Sequence, residues 1–267
     1  MHRHESGRSY AAYQEKVTEQ HLLPLFRRLG APLDRPILDV GCNKGGCVVS
    51  LASALPVPVH GVDITLADLE VARALAAEVG AENARFDALD ITRDPLPERR
   101  YGLILLRDVV EHLSDVGAAL ARLHELIEPD GRLYVTFPPW RGPYAGHQHN
   151  AKSAAKFMPW LHALSPDTFL SLLERWEGDR ADWLADERQI CANRLTRRAF
   201  EKLLDRHGWE IRYRETYFSR PAFLRMGLPT VRNGPLGRIP GIGEVVTTAC
   251  EYLLSPRASG GGQPPAP

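Results

Sequence analysis

The chain opens on a stretch whose apolar positions recur with the period of an amphipathic helix. Tyr13, Val17 and Leu22 fall on one side of a predicted helix over residues 10–29. Prolines follow shortly after and end the periodic pattern. We therefore expect an N-terminal helical segment over residues 1–34.

Short apolar runs and helical patterns then alternate five times, with short connections between them. The predicted strands are 37–42, 59–64, 84–86, 101–109 and 132–137, and the predicted helices between them are 47–55, 66–79 and 115–127. Strands that are apolar throughout are typical of a parallel sheet covered on both faces. The pattern predicts an α/β fold with a doubly wound, mostly parallel sheet, whose core spans residues 35–137. Ser114 is a possible cap of the last of these helices.

The alternation of strands and helices ends at Pro138, and the long aromatic and histidine-rich segment that follows shows no strand pattern. Connections of this length inside a compact domain usually have a function, such as binding a ligand or covering a site. We expect residues 138–195 to form a mostly helical substrate lid. The later segments are a helix over 195–208, a strand over 209–218, a C-terminal part of the sheet ending at 254, and a disordered tail over 255–267.

A glycine-rich turn, Asp39-Val-Gly-Cys-Asn-Lys-Gly45, joins the first predicted strand to the first helix of the alternation. Such a turn brings the backbone close to a ligand beside the N–H groups that open a helix. The glycines miss the G-x-G-x-x-G spacing of dinucleotide-binding folds, which disfavours a dinucleotide reductase. Asp39 also stands inside the strand, where a dinucleotide-binding strand is normally apolar.

The turn resembles the D-x-G-x-G-x-G loop of class I S-adenosylmethionine-dependent methyltransferases, with Asn43 in place of the middle glycine. Asparagine tolerates a positive φ better than other non-glycine residues, so the turn remains feasible. The resemblance implies a seven-stranded Rossmann-like sheet of order 3-2-1-4-5-7-6, with a helical lid inserted after strand 5. It also implies S-adenosylmethionine as the cofactor.

By the same resemblance, a set of residues at the carboxyl ends of the strands would bind the cofactor. Asp39 would attract the methionine ammonium, Asp63 would accept hydrogen bonds from the ribose, and Arg107 would line the sulfonium side through its backbone. The full predicted cofactor set is Asp39, Gly41, Cys42, Asn43, Gly45, Asp63, Ile64, Asp90, Ile91 and Arg107.

Two of these assignments have alternatives. Asp63 could instead be a charge at a helix N-terminus. Asp90 would meet the adenine amino group and Ile91 would supply a backbone N–H, but Asp87 competes with Asp90, and the spacing does not separate them.

Ionisable residues gather in the loops after strands 4 and 5, which should be neighbours at one edge of the sheet. Three interpretations are open. The residues could be structural, or a lid histidine could act as the general base on an acceptor hydroxyl. They could also hold a divalent ion such as Mg²⁺ that acidifies the hydroxyl. The candidate catalytic residues are His112, His147 and His149, and the candidate metal ligands are Asp108, Glu111, His112 and His147.

The metal interpretation rests on a second resemblance. An acid-x-x-Glu-His run completed by a later histidine is similar to the arrangement in small-RNA 2′-O-methyltransferases and some ubiquinone-pathway O-methyltransferases. The lid aromatics have two open roles: they wall the acceptor pocket or they form the core of the lid. These aromatics are Trp140, Tyr144, Phe157, Trp160 and Trp176.

The charge of the chain balances, with 33 basic and 33 acidic residues, and gives no overall signal for a polyanionic partner. Residues 188–238 are locally basic, with 12 Lys/Arg against 4 Asp/Glu, yet they are not interleaved with a stacking platform, so nucleic acid is not the expected partner. Four cysteines without a CxxC pair, no signal peptide and no long apolar run predict a cytoplasmic protein without a transmembrane segment.

These observations predict an S-adenosylmethionine-dependent methyltransferase that O-methylates a hydroxyl of a sugar, glycolipid or secondary metabolite. The acceptor class is inferred by analogy with bacterial small-molecule and glycan enzymes of the family. N- or C-methylation of a small molecule is an alternative within enzymes. A catalytically silent, methyltransferase-like binding subunit is an alternative of another class, against which the retention of Asp39, Asp63 and Asp90 counts.

Overall fold

A computed structural model describes residues 2–221, 223, 228–239 and 241–257, and its backbone forms one sheet flanked by helices. The strands are β1 (Ile37–Val40), β2 (Val59–Asp63), β3 (Ala84–Ala88), β4 (Tyr101–Arg107), β5 (Ile127–Phe137), β6 (Trp209–Ser219), β7 (Val231–Arg232) and β8 (Ala249–Pro256). The α-helices are α1 (His2–Val17), α2 (Leu23–Leu29), α3 (Gly46–Ala54), α4 (Leu66–Val79), α5 (Val116–Leu126), α6 (Pro166–Glu177), α7 (Ala181–Asn193), α8 (Arg197–Arg206) and α9 (Ile242–Val245). A π-helical turn over Thr18–Leu22 joins α1 to α2.

The strand order is β3-β2-β1-β4-β5-β8-β6-β7, with β1–β5 parallel and β8 antiparallel to both of its neighbours. The predicted α/β fold and the expected position of the last long strand, between β5 and β6, are confirmed. The expected count of seven strands is wrong, because Val231 and Arg232 pair with the end of β6 as an eighth strand. A two-residue strand is too short to show any alternation in the sequence.

The parallel register brings the carboxyl ends of the central strands to one edge. Val40 at the end of β1 is paired with Val62 on one side and with Leu106 on the other. The chain order reverses between β1 and β4, and ligands of such sheets bind in the crevice at that point. The loops after β1, β2 and β4 therefore open into one space.

Helices cover both faces of the sheet, as the apolar strands require. Along β4, Leu103 and Leu105 pack on the side of α2 and α3, whereas Ile104 and Leu106 pack on the side of α5 and α8. Burial of these alternating positions fixes the register, since a slip of one residue would exchange the two faces.

The segment after β5 is mostly helical, as expected, and has a small core of its own. That core contains Phe169, Leu173 and Leu184, which α6 and α7 contribute. The Trp140 N–H donates to the Leu195 carbonyl at 2.8 Å and joins the two ends of the segment. Residues 138–195, the predicted lid, thus have a small core of their own and are joined to each other at their two ends.

Two predicted boundaries change. The cap of α5 is Asp115 and not Ser114, because Asp115 stands next to the first turn in an extended conformation and its Oδ1 accepts from the Ala118 N–H. Strand β8 runs to Pro256, two residues beyond the predicted end, since Ser255 pairs with Glu210. The remainder of the predicted tail, 258–267, lies outside the described residues. Among the helices that the structure describes, none is long and apolar enough to cross a membrane.

Candidate active site

The turn between β1 and α3 depends on positive φ angles at three positions. Gly41, Asn43 and Gly45 have φ values of 71°, 51° and 75°. A Cβ on Gly41 would lie 2.4 Å from Val109 Cγ2, so this glycine also allows a close approach to the β4–α5 loop. Asn43 holds the left-handed conformation that was expected of it.

Cys42 and Asn43 both present backbone groups in this turn. Cys42 is fully buried in the core under α3, so that only its backbone faces the turn, with its N–H donating to the Val62 carbonyl at 3.0 Å. The Asn43 N–H donates to Asp63 Oδ2 at 2.8 Å, and the Thr65 N–H donates to Oδ1 at 2.9 Å. Asp63 therefore ties the ends of β1 and β2 together, next to Ile64, whose side chain is 73% exposed.

Asp87 and Asp90 differ in their positions relative to β3. Asp87 lies within the strand and its Oδ2 is 2.8 Å from His60 Nε2. Asp90 lies in the loop beyond the strand, where its Oδ1 accepts from the Thr92 N–H at 2.8 Å. The following Ile91 is buried, and its carbonyl accepts from Arg122 Nε at 2.6 Å. Both carboxylates thus lie near the carboxyl end of β3, with Asp87 paired opposite Val62 and Asp90 two residues beyond the strand.

Asp39 and Arg107 lie on the same face of neighbouring strands, with both side chains buried. Arg107 Nη2 is 3.6 Å from Asp39 Oδ2, and Asp39 is only 1% exposed. Within the described part of the chain, neither Asp39 oxygen accepts a hydrogen bond. Burial raises the pKa of Asp39, while the charge of Arg107 opposes that rise.

A cavity of about 340 Å³ opens beside these residues, between the sheet edge, α1 and the lid. Its walls combine aromatic, acidic, basic and imidazole side chains. They are Tyr10, Tyr13, Gln14, Gly41, Asn43, Arg107, Asp108, His112, His147, His149, Asn150, Trp183, Asp186, Glu187, Arg220 and Phe223. The five aromatics singled out in the lid are not among the described lining residues; Trp140 packs on the lid core, and Phe157, Trp160 and Trp176 are exposed.

Three of the four predicted metal ligands converge at this cavity. One donor atom from each of Glu111, His112 and His147 lies within 4.8 Å of the others. His147 Nε2 is 3.6 Å from Glu111 Oε1, and the two imidazole rings have centroids 5.0 Å apart. Glu111 is only 3% exposed, so its oxygens are shielded from water. Even so, neither oxygen has a hydrogen-bond partner among the described residues.

Asp108, the fourth predicted ligand, is engaged elsewhere. The Arg220 guanidinium donates to Asp108 Oδ2, and Thr136 Oγ1 donates to Oδ1 at 3.3 Å. Burial alone would raise the pKa of Asp108, but the charge and hydrogen bond of Arg220 lower it. The ring of His149 lies 5.6 Å from the ring of His147, and His149 lines the cavity beside the cluster.

Burial shifts the cluster toward neutral forms. It raises the pKa of Glu111 to about 8 and lowers the pKa of His147 to about 4. The pKa of His112 is also lowered by burial, against the opposing charge of Glu111. Such paired shifts in a cleft are typical of functional sites.

Backbone strain also concentrates here. Among the described residues, five non-glycine residues have positive φ, and three of these, Asn43, Asp108 and His147, line the cavity. Such conformations cost about 1–3 kcal/mol each and persist where the surrounding structure over-determines them.

The sequence analysis missed several residues of this site. Arg220 follows β6, whose carboxyl end reaches the same edge of the sheet. The rule that ligands bind at the carboxyl ends of strands, which pointed to Arg107, could therefore have pointed to Arg220 as well. Asn193 closes α7 and donates from Nδ2 to the carbonyls of Val110, Glu111 and Leu113 at 3.1–3.2 Å. No local pattern signals this contact, which fixes the lid to the loop that carries Glu111 and His112.

Residues 10–213 match the methyltransferase domain family, a range that covers most of the chain and all of strands β1–β5. The chain belongs to this family. This methyltransferase domain is 30% identical over 134 residues to aklanonic acid methyltransferase DauC of a Streptomyces strain, covering 48% of this chain and 60% of that protein. It is 33% identical over 102 residues to the ubiquinone biosynthesis O-methyltransferase of Azorhizobium caulinodans, covering 38% of this chain and 39% of that protein. The chain thus spans 60% or less of these relatives' lengths.

Solved structures share the fold of this methyltransferase domain. A geranyl diphosphate C-methyltransferase from Streptomyces coelicolor superposes with a TM-score of 0.54 and 13% identity, covering 84% of this chain and 74% of that one. The [4+2]-cyclase SpnF gives a TM-score of 0.52 and 17% identity, covering 83% and 75%. Because a cyclase shares the fold, the chemistry must be argued from the site.

Proposed function

We propose that the protein transfers a methyl group from S-adenosylmethionine to a hydroxyl oxygen of a small molecule. The observation that carries this proposal is the buried Glu111–His112–His147 cluster at the strand edge, next to the glycine turn. Methyl transfer from a sulfonium needs mainly alignment of donor and acceptor. Transfer to a hydroxyl also needs a destination for its proton, and the imidazoles supply one.

The cofactor would lie along the edge formed by the ends of β1–β4. Asp63 would bind the ribose hydroxyls, Ile64 would cover one face of the adenine, and Asp90 with the Ile91 N–H would meet the adenine edge. The glycine turn, from Gly41 through Cys42 and Asn43 to Gly45, would supply its backbone to the methionine end. The exposed side chain of Ile64 and the position of Asp90 beyond β3 support this arrangement.

His147 would accept the hydroxyl proton at Nε2. The pKa of this imidazole is lowered by burial, so it is neutral and able to accept at neutral pH. Glu111 Oε1 lies 3.6 Å from the same nitrogen, and because burial raises the pKa of Glu111 to about 8, its carboxylate form would take the proton from the imidazolium. The rings of His112 and His149 lie 5.0 and 5.6 Å from the ring of His147 and would line the acceptor site beside it.

The same cluster also fits a divalent ion. Two imidazole nitrogens and one carboxylate lie within reach of a single centre, and Glu111 has two buried oxygens without partners in the described chain. This donor set suits zinc, iron or manganese better than Mg²⁺, which prefers oxygen ligands. An ion held by Glu111, His112 and His147 would acidify the acceptor hydroxyl. Asp108 is not part of this set, because it is bound to Arg220.

The lid would enclose the acceptor. Helix α7 presents Trp183 and Glu187 to the cavity, and neither the indole N–H nor the carboxyl has a partner among the described residues. A donor and an acceptor one helical turn apart could pair with a hydroxylated molecule. Two relatives, aklanonic acid methyltransferase DauC and a ubiquinone biosynthesis O-methyltransferase, support a small-molecule acceptor.

The test uses S-adenosylmethionine labelled with ¹³C at the methyl group and a panel of phenols, hydroxyquinones and sugars. We expect a labelled product whose carbon resonance is that of a methoxy group. Labelled N-methyl or C-methyl products would contradict O-methylation and identify the alternative chemistry. Cofactor binding without any product from an acceptor-rich panel would instead favour a binding subunit.

Assays before and after EDTA treatment separate the two roles of the cluster. If chelation abolishes turnover and Mn²⁺ or Zn²⁺ restores it, the ion carries the acidification. If chelation has no effect and His147→Ala lowers turnover, the imidazole acts as the base.

A further inference from the structure

The side chain of Arg107 is a buried cation at the border of the cofactor cavity. Arg107 ends β4 on the same sheet face as Asp39, and its side chain is 14% exposed against 1% for Asp39. Arg107 lines the cavity, whereas Asp39 is not among its described lining residues. Arg107 is therefore the member of the pair that a ligand in the cavity would meet.

Arg107 and Asp39 each have buried polar atoms that form no hydrogen bond with the described residues. Arg107 Nε and both Asp39 oxygens are buried and have no hydrogen-bond partner among the described residues. The separation of 3.6 Å between Nη2 and Oδ2 is longer than a hydrogen bond. Buried arginine donors of this kind normally bind a carboxylate or phosphate in a fork geometry.

Other cations near the cavity are already engaged. Arg220 donates to Asp108 across the cavity. Lys44 Nζ lies 3.7 Å from Asp68 and 5.5 Å from the centroid of the Tyr10 ring. Arg107 is therefore the cation best placed to receive an anionic group of a ligand that lies against Gly41 and the glycine turn.

The methionine end of S-adenosylmethionine carries such a group, an α-carboxylate next to an ammonium. We propose that the Arg107 guanidinium binds this α-carboxylate, and that Asp39 is a positioning residue that holds the guanidinium through their buried ion pair. This assignment gives Arg107 a side-chain role instead of the backbone role expected from the sequence. It rests on S-adenosylmethionine as cofactor and is independent of the methyl acceptor.

The test compares two ligands that differ only in the carboxylate. S-Adenosylhomocysteine contains it, whereas 5′-deoxy-5′-(3-aminopropylthio)adenosine lacks it and keeps the amine. Calorimetry on the wild-type chain should show about 10- to 100-fold tighter binding of S-adenosylhomocysteine, the preference expected from one charge-assisted fork. Similar affinities for the two ligands would overturn the proposal.

Variants then assign the preference to Arg107. Arg107→Gln should bring the two affinities to within about threefold, because the analogue has no carboxylate to lose. Lys44→Gln is the matched control and should keep the wild-type preference. A preference that survives Arg107→Gln but disappears in Lys44→Gln or Arg220→Gln would overturn the assignment. Arg107→Lys retains the buried charge in case the glutamine variant does not fold, and the loss of the planar fork should still reduce the preference.

The role of Asp39 has its own readout. If Asp39 positions Arg107, Asp39→Asn should reduce the preference for S-adenosylhomocysteine. If Asp39 instead binds the ammonium, which both ligands share, Asp39→Asn should weaken both equally and leave the preference unchanged. Absence of any binding of S-adenosylhomocysteine to the wild type would contradict the cofactor itself, a result distinct from an equal affinity for the two ligands.

Discussion

The edge formed by β1–β4 and the lid over 138–195 are built in different ways. Residues of the cofactor edge are held by backbone contacts, such as the Asn43 N–H on Asp63 and the packing of Val109 on Gly41. The lid contacts the rest of the protein through side chains that bond to residues distant in the sequence, such as Asn193, which donates hydrogen bonds to the β4–α5 loop. In the first region the central strands β1 and β4 are buried almost throughout, whereas the second region has a small core and a few polar contacts that connect it to the sheet.

Under the proposed function, this difference separates cofactor binding from turnover. The strand edge contains the predicted cofactor residues, whereas His147 from residues 138–195 meets Glu111 in the cluster that we propose to accept the proton. Damage to the lid should therefore affect turnover more than cofactor affinity. The predictions below test that division.

The largest expected effect is on turnover. His147→Ala should lower turnover about 100-fold or more, the size expected for loss of a general base. Affinity for S-adenosylhomocysteine should be nearly unchanged, because His147 belongs to the lid. His207→Ala, a half-buried histidine after α8, is the control and should leave turnover unaffected. Normal turnover in His147→Ala would make the cluster structural.

A matched pair of core leucines compares the stability of the two regions. Leu105 on β4 and Leu173 on α6 are both fully buried. Leu105→Ala should lower the global free energy of unfolding by about 2–5 kcal/mol, the cost of a cavity in a core. Leu173→Ala should mainly raise hydrogen exchange within the lid and leave the sheet protected, as expected for a separate cooperative unit. Equal loss of protection throughout the sheet in Leu173→Ala would show that the regions unfold together.

Asp63 tests the cofactor edge alone. Asp63→Ala should weaken S-adenosylhomocysteine binding by about 2–4 kcal/mol through loss of charge-assisted hydrogen bonds. The control is Asp87→Ala, since Asp87 contacts His60 and not the glycine turn. If Asp87→Ala has the larger effect on calorimetric affinity, the assignments of these carboxylates must change.

Glu177 gives the smallest effect and makes the lid sensitive to acid. Burial alone would raise the pKa of Glu177, but hydrogen bonds from Ser153, Lys152 and Arg180 outweigh it and bring the pKa to about 2. The folded pKa is thus below the ordinary value of 4.5, so the stabilisation is present above pH 4.5 and is lost as pH falls toward 2.

Limited proteolysis of the lid between pH 6 and pH 3 measures this dependence. The wild-type lid should become more susceptible as the pH falls, and Glu177→Gln should remove that dependence while lowering lid stability by about 1–3 kcal/mol. Glu174→Gln is the control, because Glu174 forms an exposed ion pair with Arg188. An equal pH dependence in Glu177→Gln would assign the acid response to another group.

The sequence placed β1, β2 and the turn between β1 and α3 well because the information is local. A strand, a glycine turn and a helix follow one another within a few residues, so the positions of Asp39, Asn43 and Asp63 in these elements follow from spacing alone. Residues 138–195 were predicted as a separate segment only from the absence of strand alternation. The sequence left two roles open for its aromatics, since periodicity does not say which side of a small helical unit faces a cavity.

The sequence by itself determined the α/β class and the parallel direction of β1–β5, while the order of these strands followed from the family resemblance. Tertiary structure alone decided which charges meet: Arg220 with Asp108, Glu111 with His147, and Arg107 with Asp39. The physical reason is one of range. Strand and turn preferences act between neighbours in the chain, whereas these pairings depend on how the lid and β6 pack against the sheet edge.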